Sequence, residues 1–144
     1  MNPREFCTVA GAFAARGEAA ASRSAISRAY YSLFHVVLDF LITNQVRLPK
    51  NKPESHTLIY RLLFNCGDRD LRLVASALND LRGQRNDADY DMKNRDVELR
   101  STAQAAVERA RREITRFAAF IQNQTGIASA VQGIKLHATV VEKL

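Results

Sequence analysis

Residues Ser22–Asn44 read SRSAISRAYYSLFHVVLDFLITN and decide the fold of this chain. The stretch contains no Gly and no Pro, so it predicts one unbroken helix, which at about 1.5 Å per residue is roughly 30 Å long. Apolar residues recur at helical spacing on most of its sides: Ile26, Ala29, Tyr30, Leu33, Phe34, Val37, Leu38, Phe40, Leu41 and Ile42. Such a helix is usually buried among other helices, and we expect it to be central.

The composition fits a soluble helical domain. The chain has 144 residues, enough for one domain with a single core. Only three prolines and six glycines interrupt it, which favours an all-helical protein. The net charge of +6 suits an anionic partner such as nucleic acid, but a modest excess of this kind also simply keeps a protein soluble. Charge alone leaves both interpretations open.

The cysteines and the N-terminus indicate an intracellular setting. Cys7 and Cys66 show no metal-ligand spacing, so we expect two buried, reduced thiols, no metal and no cofactor. The first residues, MNPREFCTVAG, are too polar for a signal peptide. No apolar run reaches the about 20 residues of a membrane span. We expect a cytoplasmic protein without a membrane partner.

The N-terminal half predicts two more helices beside the central one. Asn2–Pro3 is a typical helix start, and Gly17 marks the end of that first helix. The polar, proline-bearing segment Gln45–Glu54 predicts a loop. A third helix is expected to start at Ser55 and to stop at Gly67.

The C-terminal half predicts two further helices. Asp68 is placed to cap a fourth helix, which runs from about Arg69 to Asn86. The polar segment Asp87–Arg95 predicts a loop, after which Asp96 could cap a long fifth helix over about Val97–Gln122.

These elements predict an all-α fold, an antiparallel up-and-down bundle of four to five helices. The bundle occupies residues 1–125. For residues 126–144 the pattern breaks, and a short helix, a strand-like tail and disorder all remain open.

A thin polar stripe runs along the central helix. It contains Arg28, Ser32, His35 and Asp39, which share one face at about 100° per residue. Asp39 lies one turn from His35 and could orient its imidazole for acid–base chemistry. Alternatively, the stripe is a buried structural network in which Asp39 neutralises Arg28.

A second polar group stands at the end of the fourth helix. Arg85 continues the apolar stripe of that helix, where another leucine would serve folding better. A buried guanidinium needs a partner, which could be Asp39, Asp89 or a bound phosphate, and we expect the phosphate. The group comprises Arg82, Arg85, Asn86, Asp89 and Tyr90.

Three segments carry a resemblance to a known family. SAISRAYYSLFHVVLDFL, ESHTLIYRLLF and LRGQRNDADYD occur in that order. They resemble the compact one-domain branch of the HEPN superfamily, whose members show an R-A-Y-Y-x-x-F-H-like helix, a Ser/Thr-His before a third helix and an R-x-x-A-D-Y-like segment. The resemblance covers roughly Arg4 to Ile121.

The resemblance implies a helical bundle that pairs as a homodimer. Many members of the superfamily are metal-independent ribonucleases, and several act as toxins. Their signature is an arginine, a polar residue and, a few residues later, a histidine; two copies meet at the dimer interface and cut RNA. Some are encoded beside a small nucleotidyltransferase that neutralises them. RNA or a nucleotide, and such a nucleotidyltransferase, are therefore the implied partners.

On this chain Arg85 matches the signature arginine and Asn86 the polar residue, whereas Tyr90 stands where the histidine is expected. Tyrosine has an ordinary pKa near 10, too high for a ready base at neutral pH, so His35 or His56 would have to supply an imidazole. The predicted catalytic residues are Arg85, Tyr90 and His35. The predicted phosphate ligands are Arg28, Arg82, Arg85 and Asn86, supported by Asp39, Asp89 and His56. The alternative is a non-catalytic dimeric binding module with a degenerate active site.

Overall fold

The computed structural model describes residues 1–49 and 53–144, and all regular structure within them is helical, which confirms the all-α prediction. The described chain forms six α-helices, more than the four to five predicted. They are α1 (Arg4–Arg16), α2 (Ala19–Thr43), α3 (Ser55–Phe64), α4 (Arg69–Tyr90), α5 (Arg100–Ile121) and α6 (Gln124–Val140). A short 3-10 turn (Asp96–Glu98) precedes α5.

Helix α2 is the centre of the fold, as its sequence predicts. It packs against α1, α4 and α5, which explains why it is apolar on most sides. By length and composition alone α2 could also cross a membrane, contrary to the expectation that no apolar run is long enough to do so. However, 67% of the 18-residue stretch of α2 that meets these criteria is buried inside the protein. Core helices of soluble proteins meet the same criteria.

Several predicted helix boundaries are confirmed. Gly17, with φ of 79°, ends α1 in the left-handed region that glycine adopts most readily. Ser55 is the first residue of α3. The Asp68 carboxylate accepts a hydrogen bond of 2.9 Å from the backbone N–H of Leu71 and so caps α4. The predicted Gln45–Glu54 loop is non-helical where it is described, and residues 50–52 lie outside the described residues.

The predicted end of the fourth helix is wrong. Helix α4 continues to Tyr90, through the first part of the predicted loop Asp87–Arg95. The reason is Arg23 on α2, which forms an ion pair of 2.9 Å with Glu98. Its guanidinium also donates to the carbonyl oxygens of Asp87, Ala88, Asp91 and Asn94. The bond to Ala88 satisfies a carbonyl that the helix end leaves unpaired, and the bonds to Asp91 and Asn94 tie the following turn to α2.

The predicted start of the fifth helix is also wrong. Asp96 does not cap α5 but lies in the 3-10 turn. Helix α5 begins at Arg100, and Leu99 occupies the cap position without a side-chain hydrogen bond. Val97 is buried, so the turn is held by a core contact as well as by the Arg23–Glu98 ion pair.

The C-terminal tail is a helix, α6, which packs against α3 and α5. Arg61 on α3 holds Glu142 through two bonds, Nε–Oε1 of 2.6 Å and Nη2–Oε2 of 2.9 Å. The backbones approach closely at Gly133, because a Cβ there would lie 2.2 Å from the Cys66 carbonyl oxygen. The tail therefore docks through its buried residues Ala130, Ile134 and Ala138, together with the glycine contact and one bidentate ion pair.

Both cysteines are free and buried, as expected. Burial raises the pKa of the Cys7 and Cys66 thiols, so both stay protonated near neutral pH.

Candidate functional site

The N-terminal segment and α1 pack against the middle of the polar stripe of α2. The His35 ring stacks on Phe6, with ring centres 5.8 Å apart and an interplanar angle of 19°, and on Tyr31 at 6.0 Å and 25°. The Arg28 guanidinium carbon lies 5.6 Å from the centre of the Phe6 ring. The Ser32 hydroxyl donates to the Pro3 carbonyl oxygen at 3.1 Å. The stripe thus faces the start of the chain and not the end of α4.

The buried network expected between Arg28 and Asp39 is not formed. Both side chains are exposed. They are eleven positions apart, and at a rise of about 1.5 Å per residue this distance along α2 is too long for an ion pair. His35 is held by flat aromatic rings, so the expectation that Asp39 orients its imidazole is not supported.

The end of α4 instead meets a different face of α2, and Arg85 lies at the centre of this contact. Its guanidinium carbon is 5.3 Å from the centre of the Tyr30 ring, 5.5 Å from that of Tyr31 and 5.8 Å from that of Tyr90. Only 7% of Arg85 is exposed. Aromatic faces attract a cation, and three of them surround this one.

The charge of Arg85 is only weakly balanced by carboxylates. Its Nη1 lies 3.8 Å from Asp89 Oδ2, too long for a good hydrogen bond. The same Asp89 oxygen accepts a bond of 3.2 Å from the Ser27 hydroxyl. Arg85 Nε is buried and has no hydrogen-bond partner in the described residues. Buried polar groups are nearly always satisfied, so this donor points to a missing acceptor.

Arg82 stands one turn before Arg85 on the same side of α4, where residues three apart are neighbours. Its Nη1 donates to the Thr57 hydroxyl at 2.7 Å, which joins α4 to the first turn of α3. Its Nε is also buried without a partner in the described part of the chain. Two adjacent guanidinium groups thus carry buried donors that lack acceptors.

His56, next to Thr57, completes this cluster. Its Nδ1 is hydrogen-bonded to the Tyr30 hydroxyl. Burial raises the pKa of Tyr30, so the phenol keeps its proton. Burial, and then the charges of Arg82 and Arg85, lower the pKa of His56 below its ordinary 6.5. We therefore assign a neutral imidazole that accepts from Tyr30 at Nδ1 and carries its own proton at Nε2.

The structure brings some predicted site residues together and separates others. Arg82, Arg85, Asp89, His56 and Tyr90 form one cluster. Asn86 is partly buried on α4, directly after Arg85. Arg28 and Asp39 lie elsewhere, while His35 borders the cluster through its ring contacts with Tyr31 and Phe34.

Sequence reasoning missed Tyr30, Tyr31 and Thr57 as members of the cluster. The tyrosines fit the apolar face of α2, so burial alone accounts for them. The signal that could have found them is the pair of arginines three residues apart on α4, because a helix that buries a cation needs a matching face on its neighbour.

An apolar groove adjoins the cluster between α2, α3 and the described part of the loop between them. Its volume is about 770 Å³. His56 lies in its wall, together with Phe34, Leu38, Ile42, Val46, Leu48, Pro49, Pro53, Ser55 and Ile59. The Phe34 and His56 rings are in contact, with centres 4.5 Å apart.

No protein-family model, no curated protein and no solved structure matches this chain.

Proposed function

We propose that this protein is a dimeric HEPN-type protein that binds RNA or a nucleotide through a phosphate group on Arg82 and Arg85. One observation carries the proposal: both arginines have a buried Nε without a partner in the described residues, and the nearest carboxylate to Arg85 lies 3.8 Å away. A phosphate offers several strong acceptor oxygens. Arginine binds such groups in a bidentate manner with charge-assisted hydrogen bonds.

The surroundings of the arginines suit a nucleic-acid ligand. The Tyr90 ring is 75% exposed and lies beside Arg85, so it could stack on a base next to the bound phosphate. The net charge of +6 would favour the approach of a polyanion.

The resemblance to HEPN ribonucleases extends the proposal to metal-independent RNA cleavage. Arg85 would stabilise the phosphate, and Tyr90 stands in the position of the signature histidine. His56 is better placed than His35 to supply the imidazole, because His56 hydrogen-bonds Tyr30 beneath Arg85. His35, in contrast, packs against Phe6.

A non-catalytic dimeric binding module is the second candidate. The tyrosine at position 90 favours it, since a phenol is a poor base at neutral pH. The packing of His35 against Phe6 and Tyr31 favours it too, because both faces of that imidazole contact aromatic rings. In this case the cluster binds the phosphate but does not cut.

An RNA cleavage assay separates these two candidates. Purified protein is incubated with single-stranded RNA in metal-free buffer containing EDTA. A nuclease should produce fragments that disappear with Arg85→Gln and persist with Arg109→Gln. Arg109 is a matched control because it pairs with Asp80 on the other side of α4, at 2.8 Å. Intact RNA in every lane, with RNA retained by wild type and Arg109→Gln but not by Arg85→Gln, would support the binding module. The proposal as a whole fails if RNA is neither bound nor cut.

The two free cysteines support a cytoplasmic location, and the resemblance supports a small nucleotidyltransferase as a protein partner. A gene for such an enzyme beside this one would support the pairing. Co-purification of the two products is the direct test.

A further inference from the structure

We propose that the apolar groove between α2 and α3 binds the base of a nucleotide whose phosphate lies on Arg82 and Arg85. This inference rests on the proposed function, because it takes the phosphate position from it. It adds a second contact that determines which phosphate compounds the protein binds.

The groove has the size and the chemistry of a small-molecule site. Its volume of about 770 Å³ falls within the usual range of ligand pockets. Its wall is mainly apolar, and the Phe34 and His56 rings stand together in it with their centres 4.5 Å apart. A flat heteroaromatic base gains stacking energy on such rings.

His56 and its neighbour Thr57 connect the groove wall to the arginines. His56 lies in the groove wall, while Thr57, the next residue on α3, accepts the hydrogen bond of Arg82 Nη1. On the opposite side, Tyr30 touches both His56 and Arg85. A phosphate on the arginines would therefore be adjacent to a ring held in the groove.

His56 supplies a polar contact within an otherwise apolar wall. Its Nδ1 is engaged by Tyr30, so Nε2 is the nitrogen left for a ligand. In the assigned tautomer Nε2 carries a proton and donates to a carbonyl oxygen or ring nitrogen, and bases present both kinds of acceptor.

Charge complementarity selects a nucleotide over other occupants of the groove. A purely apolar ligand, or an apolar helix of another protein, would fill the groove but offer no acceptor to the arginines. Their Nε donors also have no hydrogen-bond partner among the described residues. A nucleotide suits both the groove and the arginines, because it joins a planar ring to an anion.

The probes for calorimetric titration are adenosine 5′-monophosphate, uridine 5′-monophosphate, adenosine and ribose 5-phosphate. If the groove holds a base, at least one mononucleotide should bind about tenfold or more tightly than ribose 5-phosphate, which shares the phosphate and sugar but has no base. The ratio of these two dissociation constants reports on the groove alone.

A matched pair of variants assigns that ratio to the groove. Ile42 lines the groove and is 60% exposed, so Ile42→Glu should fold while making the wall polar. Val9 on α1 is an exposed valine outside the groove, and Val9→Glu introduces the same charge elsewhere. Ile42→Glu should bring the ratio close to one, whereas Val9→Glu should leave it unchanged.

The outcomes distinguish the groove from the phosphate site. Equal binding of mononucleotides and ribose 5-phosphate, both weakened by Arg85→Gln, would overturn the groove proposal and leave the proposed function standing. Adenosine that binds as tightly as its monophosphate would overturn the claim that one nucleotide spans both parts. If no phosphate compound and no RNA binds, the proposed function fails and the groove proposal fails with it.

Discussion

Arg85 and Tyr30 face each other across α4 and α2, with the guanidinium carbon 5.3 Å from the ring centre. Tyr30 is completely buried, and its hydroxyl extends the contact to His56 on α3. The cation is therefore held by rigid helices rather than by a loop. A site built on such elements keeps its geometry when the ligand is absent.

The His56 pKa predicts a pH-dependent stability. The unfolded chain binds a proton at His56 near pH 6.5, whereas the folded chain does so only at lower pH. As the pH falls below about 6.5, the unfolded state gains protons that the folded state lacks, so the free energy of unfolding decreases. Urea unfolding between about pH 7.5 and pH 5.5 measures this slope. His56→Gln should make the profile flatter, and an unchanged slope in this variant would contradict the assignment.

Two glycines test the docking of α6. Gly133→Ala places a methyl group against the Cys66 carbonyl oxygen, so it should lower the free energy of unfolding by about 1 kcal/mol or more. Gly83 in α4 is a matched control, because a methyl group added there would meet no atom within 4 Å. Gly83→Ala should raise stability by about 0.5–1 kcal/mol through helix propensity. Equal behaviour of the two variants in thermal melting would show that α6 does not pack there.

Arg23 and Asp39 should differ strongly in their effect on stability. Arg23→Ala removes the five hydrogen-bond partners of a largely buried guanidinium and leaves Glu98 with only the exposed Arg95, at 3.5 Å, so we expect a loss of about 3 kcal/mol. Asp39→Ala, at an exposed position, should change stability by less than about 0.5 kcal/mol. Denaturant titration of both variants provides the comparison. A large loss of stability for Asp39→Ala would instead support the buried network between Arg28 and Asp39 that the sequence suggested.

We predict a homodimer that pairs through the surface beside Tyr90. Sedimentation at micromolar concentration should show a species of twice 16.1 kDa. Met92, an exposed residue near Tyr90, is the residue to change, and Met92→Glu should weaken the dimer. Leu136→Glu on α6 is the control, because Leu136 is equally exposed but belongs to another helix. A wild-type monomer would exclude a composite active site.

The sequence predicts most of the fold because local signals and burial agree there. The unbroken apolar stretch of α2, the glycine at position 17 and the cap at Asp68 each determine their element without help from distant residues. The end of α4 could not be predicted, since it depends on Arg23, more than sixty residues away in sequence. The α6 helix depends likewise on tertiary contacts with Cys66 and Arg61.

Only part of the candidate site can be predicted from the sequence, because the rest depends on how the helices pack. The position of Arg85 on an apolar stripe was sufficient to single it out, and its burial is confirmed. The spacing of apolar residues could not show which face of α2 packs against Arg85. By periodicity alone, Tyr30 and the polar stripe around His35 are both plausible neighbours of Arg85. Only the packing of α1 over His35 decides between them.

The most direct test of the central claim is the binding of a fluorescently labelled single-stranded RNA to wild type, Arg85→Gln and Arg109→Gln. Anisotropy titrations at low salt, with melting curves to confirm folding, give the three dissociation constants. Loss of a charge-assisted bond to phosphate should weaken binding by Arg85→Gln about tenfold or more, while Arg109→Gln stays within about threefold of wild type. A folded Arg85→Gln protein that binds RNA as tightly as Arg109→Gln would contradict the account.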